Sequence, residues 1–218
     1  MNWLTKLFSP KELPWTVARF FLVGIILFIL PVTRPLFYQL TPWVLIISLA
    51  IMLAYHKNWN PKFVIISLLV YALSFLLEMK GTADERFFGA YAYMTTLGIK
   101  VLDTPLLIGI NWLMLVYGSY AISYRLFHNK LFRILSGASL MVIYDVIVEV
   151  SAPAMKMWYF DQGYPPAQNF LMWFIAATVF HSLFTFANIK ADNYPARVMF
   201  YAQVGFFGIL STYILLRF

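Results

Sequence analysis

The sequence has no cysteine and only three histidines among its 218 residues. The absence of cysteine excludes disulfides, thiolate catalysis, iron–sulfur ligation and cysteine-based zinc sites. The histidines, His56, His128 and His181, are far apart in the sequence and give little support for a haem or a histidine metal site. We therefore predict that the protein binds no metal ion and no haem.

Charge is also scarce. Charged residues make up 11% of the chain, whereas an average soluble domain contains about 25%. Hydrophobic residues make up 62%, so the composition predicts an integral membrane protein. The net charge of +7 does not indicate nucleic-acid binding, because the lysines and arginines are scattered between apolar stretches. We expect the lipid bilayer as a partner, no nucleic acid, and leave the oligomeric state open.

Long apolar stretches occupy most of the chain. A membrane-spanning helix needs about 20 mainly apolar residues, and the stretches that meet this requirement are 16–33, 38–55, 62–79, 104–125, 131–150, 168–189 and 196–216. They predict an all-α fold, a polytopic membrane bundle of about seven helices forming one domain over residues 1–218. Residues 1–15 contain Pro10 and Pro14 and are not followed by a small-residue cleavage site. We predict an interfacial segment there rather than a signal peptide.

The basic residues predict an orientation. Seven spans place the two termini on opposite sides, with ten lysines and arginines on the N-terminal side and six on the other. Basic residues are enriched in cytoplasmic loops. We expect a cytoplasmic N-terminus, a C-terminus on the opposite side, and a location in the inner or plasma membrane.

The connection over residues 80–103, between the third and fourth predicted helices, is rich in glycine and aromatic residues. It contains Gly81, Gly89, Gly98 and four rings at Phe87, Phe88, Tyr91 and Tyr93. This composition is too apolar for a solvated loop. It is typical either of an irregular segment that covers a cavity or of an aromatic belt at the level of the lipid headgroups.

Four of the nine carboxylates fall near span ends on one predicted face of the membrane: Glu78, Asp103, Asp145 and Glu149. Asp145 and Glu149 are four residues apart and share one helix face, where two ionised carboxylates repel each other. Burial favours the neutral form of a carboxyl, so such a pair is a natural proton donor. The alternative is ion pairing with Lys80, Arg86 or Lys100, or exposure to headgroup water. Asp84, Glu85 and Asp161 have the character of solvated loop charges.

Neutral polar residues inside the spans have two interpretations. Asn111, Asn169 and His181 can belong to a site, or they can form hydrogen bonds that hold helices together. His56 and His128 flank predicted cytoplasmic span ends, and we expect both to be solvated.

Two runs of residues resemble a known family. The first is Glu78-Met-Lys-Gly81-Thr82 with Phe88-Gly89-Ala-Tyr91-Ala-Tyr93, Leu97-Gly98, Pro105 and Asn111-Trp112. The second comprises Asp145, Glu149, Pro153, Trp158, Tyr164-Pro165-Pro166, Asn169 and Trp173. Together, over about 78–174, they resemble the signatures of the CruF-type carotenoid biosynthesis proteins, the membrane-bound carotenoid 1,2-hydratases. The sequence departs from that pattern where Val150-Ser-Ala separates Glu149 from Pro153, which weakens the carry-over to Glu149.

The resemblance implies addition of water to the terminal double bond of an acyclic carotenoid end group, of the lycopene or gamma-carotene type, without a redox cofactor. We hypothesise that Asp145 is the leading proton donor and Glu78 the alternative donor or water-orienting base, and that Glu149 and Asp103 tune this pair. The expected substrate-binding residues are Phe88, Tyr91, Tyr93, Asn111, Trp112, Trp158, Asn169 and Trp173. The partners are then a hydrophobic carotenoid and water.

Other functions remain open at this stage. A carotenoid end-group cyclase begins with the same protonation and is separated poorly from a hydratase. A proton-coupled transporter also uses intramembrane acids, but the sequence shows no internal repeat and its acids collect on one face. A prenyl transferase should carry aspartate-rich magnesium motifs, and none is present. A purely structural membrane protein leaves the acids unexplained.

Overall fold

A computed structural model describes residues 12–217 as seven helices and four short strands. The helices are α1 (Leu13–Ile29), α2 (Arg34–Ala54), α3 (Pro61–Ala83), α4 (Leu107–Leu126), α5 (Lys130–Ser151), α6 (Ala167–Phe186) and α7 (Tyr194–Arg217). The strands are β1 (Tyr91–Tyr93), β2 (Lys100–Val101), β3 (Thr104–Pro105) and β4 (Trp158–Phe160). Residues 1–11 of the predicted interfacial segment lie outside the described residues, and α1 already begins at Leu13.

The helices confirm the prediction of an all-α polytopic membrane bundle. Six of those described, α2 to α7, are 20 to 24 residues long and apolar enough to cross a membrane, while α1 is a shorter apolar helix of 17 residues. The prediction for the first span was wrong at its end, because α1 ends at Ile29 rather than at residue 33. Pro31 explains the difference, since the residue before a proline is disfavoured in the helical region, and Leu30 is extended.

Side-chain caps fix the starts of two helices. Asn60 accepts a hydrogen bond from the backbone N–H of Phe63, and Pro61 occupies the first helical position of α3. Asn129 accepts hydrogen bonds from the backbone N–H groups of Leu131 and Phe132 at the start of α5. These contacts satisfy amides that a helix leaves unpaired at its N-terminus.

Helix α4 lies at the centre of the bundle. In its most apolar stretch of 18 residues, 83% of the residues are buried inside the protein, compared with 22% in α2 and in α3. Small residues allow close packing around α4, as in many membrane proteins. A Cβ added at Gly118 would lie 3.0 Å from the Cβ of Phe200 on α7.

The segment between α3 and α4 folds over the helix ends instead of forming an open loop. Strand β1 pairs antiparallel with β4, which follows α5, with Tyr91 opposite Phe160 and Tyr93 opposite Trp158. Phe88 and Leu97 in this segment are each only 1% exposed. Of the two sequence interpretations, the structure matches a segment that covers a cavity. The paired strands were not predicted, and α3 extends beyond its predicted end at residue 79 to Ala83.

Strands β2 and β3 form a separate hairpin. Leu102 and Asp103 at its turn both have positive φ angles, 48° and 62°, as a two-residue hairpin turn of type I′ requires. The turn holds Asp103 in an exposed position. Asp103 is one of the four acids that the sequence predicted to lie together, and the turn keeps it away from the helix ends that carry the other three.

The prediction that His56 is solvated was wrong. His56 is 4% exposed, its ring stacks on Phe63, and its Nδ1 lies 2.6 Å from the hydroxyl of Tyr117. Asn193 donates to the same hydroxyl at 2.9 Å, so these side chains join the α2–α3 and α6–α7 connections. Burial lowers the pKa of His56. His128 is exposed, as expected.

His181 has the interhelical role that was one of its two interpretations. Its Nε2 lies 2.9 Å from the Ser119 hydroxyl on α4, and its Nδ1 lies 2.7 Å from the carbonyl oxygen of Ala177 on its own helix. The ring packs where Gly137 of α5 has no side chain, and a Cβ there would overlap the imidazole.

This contact predicts that Gly137→Leu destabilises the bundle, because a side chain would push α5 away from the His181 ring. We expect the free energy of unfolding in detergent to fall by about 1–3 kcal/mol, the usual cost of overpacking. Denaturant titration followed by circular dichroism measures it. Gly208→Leu is the matched control, since a Cβ at Gly208 meets nothing within 4 Å. Equal stability of the two variants would contradict the contact.

Candidate active site

Three carboxyl groups meet beneath the β1–β4 sheet. Glu78 lies near the end of α3, while Asp145 and Glu149 lie in the last two turns of α5, with exposed fractions of 3%, 0% and 5%. Asp145 is close enough to interact electrostatically with both of the other carboxyls. The two glutamates also interact with each other.

Glu78 receives three hydrogen bonds. The hydroxyl groups of Tyr91 and Tyr93 each donate to its Oε2 at 2.7 Å, and the indole N–H of Trp112 donates to its Oε1 at 2.7 Å. The indole N–H only donates and both hydroxyls are able to donate, so these three neighbours satisfy Glu78 as a carboxylate. These bonds replace the water that Glu78 loses inside the bundle.

The two tyrosines come from β1, and glycine makes room for one of them. A Cβ at Gly81, one turn after Glu78 on α3, would lie 2.9 Å from the Tyr91 hydroxyl. Burial, and then the neighbouring charge of Glu78, raise the pKa of Tyr91 and of Tyr93 well above the ordinary value. Both therefore remain neutral donors over the physiological range of pH.

Asp145 and Glu149 each accept one hydrogen bond. Asn169 on α6 donates from Nδ2 to Asp145 Oδ2 at 2.9 Å, and the indole of Trp158 on β4 donates to Glu149 Oε2 at 3.0 Å. The other oxygen of Asp145, Oδ1, is buried without a hydrogen-bond partner among residues 12–217. Glu149, one turn further along the same helix, is the carboxyl with which Asp145 interacts directly.

The alternative in which basic residues neutralise this pair does not match the structure. Lys80 and Arg86 both approach Asp84, at 3.6 and 2.8 Å. Lys100 instead donates to the backbone oxygen of Tyr93 at 2.6 Å. In the part of the chain that is described, the three buried carboxyls have no ion pair.

A small cavity is lined by both Glu78 and Glu149. Its volume is about 20 Å³, which is enough for one water molecule. Its walls combine carboxyl, amide, apolar and aromatic groups, from Glu78, Glu149, Asn169, Ile108, Tyr91, Tyr93, Trp158, Phe160 and Trp173. Asp145 does not reach this wall. The cavity can hold water between two carboxyls and several ring faces.

Aromatic pairs fix the shape of this cavity. Tyr91 stacks on Phe160 with ring centroids 5.3 Å apart, and Trp173 stacks on Trp112 at 4.1 Å. The first pair joins the two strands, whereas the second joins α4 and α6. Ring faces carry negative potential, so the walls suit a positively charged intermediate.

The structure brings together most of the residues that the sequence suggested. Seven of them line the cavity: Glu78, Glu149, Tyr91, Tyr93, Trp158, Asn169 and Trp173. Asp145 is hydrogen-bonded to Asn169 and Trp112 to Glu78, and both partners line the cavity. Phe88 packs edge-on against Tyr91, with ring centroids 6.1 Å apart. Asn111 lines a different, apolar cavity. Asp103 is exposed in the hairpin turn, so the prediction that it joins the other acids was wrong.

Sequence reasoning missed two cavity residues, Ile108 and Phe160. Neither carries a polar group that would mark it. The alternating pattern of Trp158-Tyr-Phe160, buried at both ends and exposed in the middle, was a signal for the strand that carries Phe160.

Comparison with known proteins identifies a family. A sequence model described as "Carotenoid biosynthesis protein" matches residues 23–216. It confirms the family that the two sequence runs resemble. No curated protein and no solved structure matches the chain.

The buried tyrosines predict a loss of stability at high pH. Their folded pKa values lie above the unfolded value of about 10, so they contribute stability that is complete below pH 10 and is lost as pH rises. Each should lower the free energy of unfolding by about 1.4 kcal/mol per pH unit in that range. We expect the double variant Tyr91→Phe, Tyr93→Phe to show a shallower decline than the wild type in unfolding measurements between pH 9 and 12.

The conservative change Tyr159→Phe, at the exposed middle position of β4, is the matched control. A decline in the double variant as steep as in the wild type would show that Tyr91 and Tyr93 ionise in the folded protein.

Proposed function

The chain belongs to the carotenoid biosynthesis protein family, and from this premise we propose that it is a carotenoid 1,2-hydratase. The reaction adds water across the terminal carbon–carbon double bond of an acyclic carotenoid end group and gives a tertiary alcohol. One observation carries the proposal. A cavity for a single water lies between two carboxyls and is walled by aromatic rings.

The Asp145–Glu149 pair supplies the proton in this proposal. Two carboxyls on one helix face, buried and without a cation among the described residues, interact unfavourably when both are ionised. The pair therefore shares a proton. Glu149 lies on the cavity wall and delivers the proton, whereas Asp145 lies behind it and holds the shared proton with its unpaired Oδ1.

This assignment changes the ranking from the sequence. The resemblance put Asp145 ahead of Glu149, because the spacing between Glu149 and Pro153 departs from the family pattern. In the structure, however, Glu149 lines the cavity and Asp145 does not. The proposal accordingly gives the contact with substrate to Glu149 and a supporting role to Asp145.

Protonation uses the π electrons of the terminal double bond. They form a new C–H bond at the less substituted carbon and leave a tertiary cation at the other carbon. The faces of Tyr91, Phe160 and Trp173 line the space beside it, where a cation–π contact contributes about 0.5–2 kcal/mol.

Water then captures the cation. Its oxygen forms the C–O bond, and one of its protons leaves to a base. Glu78 is the base in this proposal, because it lies on the same cavity and all its hydrogen bonds are accepted ones. Transfer of that proton through the cavity back to Glu149 restores the starting state. The sum of the steps is alkene plus water giving alcohol, with no oxidant, reductant or cofactor.

The water site favours hydration over cyclisation. A cyclase forms the same cation but quenches it with a second double bond of the same molecule, and for this it must keep water away. A cavity with room for one water next to a carboxylate serves the opposite purpose.

We predict that Glu149→Gln, Asp145→Asn and Glu78→Gln each lower product formation by about 100-fold or more, the range for loss of a general acid or base. The variants are expressed in a host that makes lycopene. The pigments are separated by chromatography, and mass spectrometry shows whether they have gained one water. Heavy oxygen from labelled water should appear in the product.

Asp103→Asn is the matched control and should retain wild-type activity, because Asp103 lies outside the cavity. Full product from both Glu149→Gln and Asp145→Asn would refute the acid pair. A cyclic product without labelled oxygen would make the protein a cyclase.

We also propose that the N-terminus is cytoplasmic, which puts the active site on the opposite face. The support is the excess of basic residues on the N-terminal side. Alkaline phosphatase, which is active only outside the cytoplasm, should be active when fused after Arg217 and inactive when fused in the α2–α3 connection near Asn58. The reverse pattern would invert the orientation.

A further inference from the structure

A second cavity, of about 130 Å³, lies next to the active site and is almost entirely apolar. Helices α1, α2, α4, α5 and α7 contribute to its walls, among them Gly24, Val44 and Phe206. Two of its wall residues, Asn111 and Met157, directly precede Trp112 and Trp158 of the active site. The cavity therefore adjoins the wall of the water site.

Two amide side chains face this apolar cavity. Asn111 is 5% exposed and Gln203 is 4% exposed. Neither side chain forms a hydrogen bond within residues 12–217. These two amides are the polar groups that a ligand in this otherwise apolar cavity would contact.

An outer groove lies on the other side of one wall of this cavity. This groove, of about 570 Å³, runs along the outside between α1 and α7, where Ala18, Ala202 and Gly205 leave space. Phe21 and Phe206 line both the groove and the inner cavity, and their ring centroids are 5.4 Å apart. This aromatic pair is the only wall that the two spaces share in the described structure.

We infer that the polyene chain of an acyclic carotenoid reaches the active site sideways from the bilayer, along the α1–α7 groove and past Phe21 and Phe206. The inference rests on the proposed function, which requires an apolar chain beside the water cavity. A carotenoid dissolves in the hydrocarbon of the membrane, so a path open to lipid and lined by apolar groups matches its chemistry. The path leads to the wall that carries Trp112 and Trp158.

The amide side chains that line the inner cavity assist release of the product in this proposal. The substrate chain is a hydrocarbon, whereas the product carries a hydroxyl group. Asn111 and Gln203 are the partners that this hydroxyl meets in the inner cavity as the alcohol leaves.

Two glycines on α7 provide a matched test of the groove. Gly205 lines the groove and Gly208 does not, while a Cβ at either position meets nothing within 4 Å. Both substitutions replace a poor helix former with a better one, so the fold should be kept. Gly205→Trp fills the groove, and Gly208→Trp adds the same side chain elsewhere on the helix.

Each full-length variant is purified from a lycopene-producing host, and the bound polyene per protein is measured by absorbance. We expect Gly205→Trp to retain about tenfold less polyene and to form correspondingly less product, which corresponds to a steric cost of about 1.4 kcal/mol. Gly208→Trp should equal the wild type. Equal pigment in the two variants would overturn the path, as would wild-type protein that retains phospholipid but no polyene.

A second pair tests the inner cavity. Val44 lines it, whereas Ile47, on the same helix, is 46% exposed and lines none of the three cavities. Val44→Trp should lower bound polyene and Ile47→Trp should not. If Val44→Trp binds as much polyene as Ile47→Trp, the inner cavity is not part of the path.

The chemical step is tested independently. Glu149→Gln should lose the product but keep bound polyene, because it leaves the groove and the inner cavity unchanged. If Glu149→Gln and Asp145→Asn both form full product, the proposed acid fails, and the comparison of Gly205→Trp with Gly208→Trp still decides the path.

Discussion

The structure depends on keeping three carboxyl groups buried inside an apolar bundle, where they form no ion pair within the described residues. Each carboxyl must find hydrogen-bond donors within the protein, because an unsatisfied polar group at membrane depth costs several kcal/mol. Glu78 obtains three donors, and the Asp145–Glu149 pair obtains two. This requirement explains why the segments around α3 and α5 are so rich in tyrosine and tryptophan.

The donors come from elements that are far apart in the chain. Tyr91 and Tyr93 belong to β1, Trp158 to β4, and Trp112 to the central helix α4. Pairing of β1 with β4 brings two of these sources together above the helix ends. The small sheet therefore does two things, since it closes the cavity and positions the donors. The tyrosine and tryptophan side chains that stabilise the buried acids therefore also surround the site of the proposed reaction.

The apolar inner cavity and the outer groove also result from the way the helices pack. Helix α4 is buried, so its polar residue Asn111 faces an internal cavity instead of lipid. Helices α1 and α7 are in contact, and small residues leave a groove along the outside of this contact. A cavity for water that is lined by two carboxyls and the proposed apolar path to the membrane thus lie on two sides of one wall. An enzyme that joins water to a hydrocarbon needs both.

The sequence by itself determined the membrane class, the seven helices and the family, because these depend on composition, on hydrophobic runs of sufficient length and on local motifs. It also identified most of the cavity residues, since polar and aromatic groups near span ends are conspicuous in an apolar chain. Only the tertiary structure decided that Asp103 stays outside, that His56 is buried and that Glu149 rather than Asp145 lines the cavity. Those outcomes depend on a hairpin turn, on contacts between distant loops and on the rotation of α5 against its neighbours. Pairwise packing of this kind has no signal in the spacing of residues along the chain.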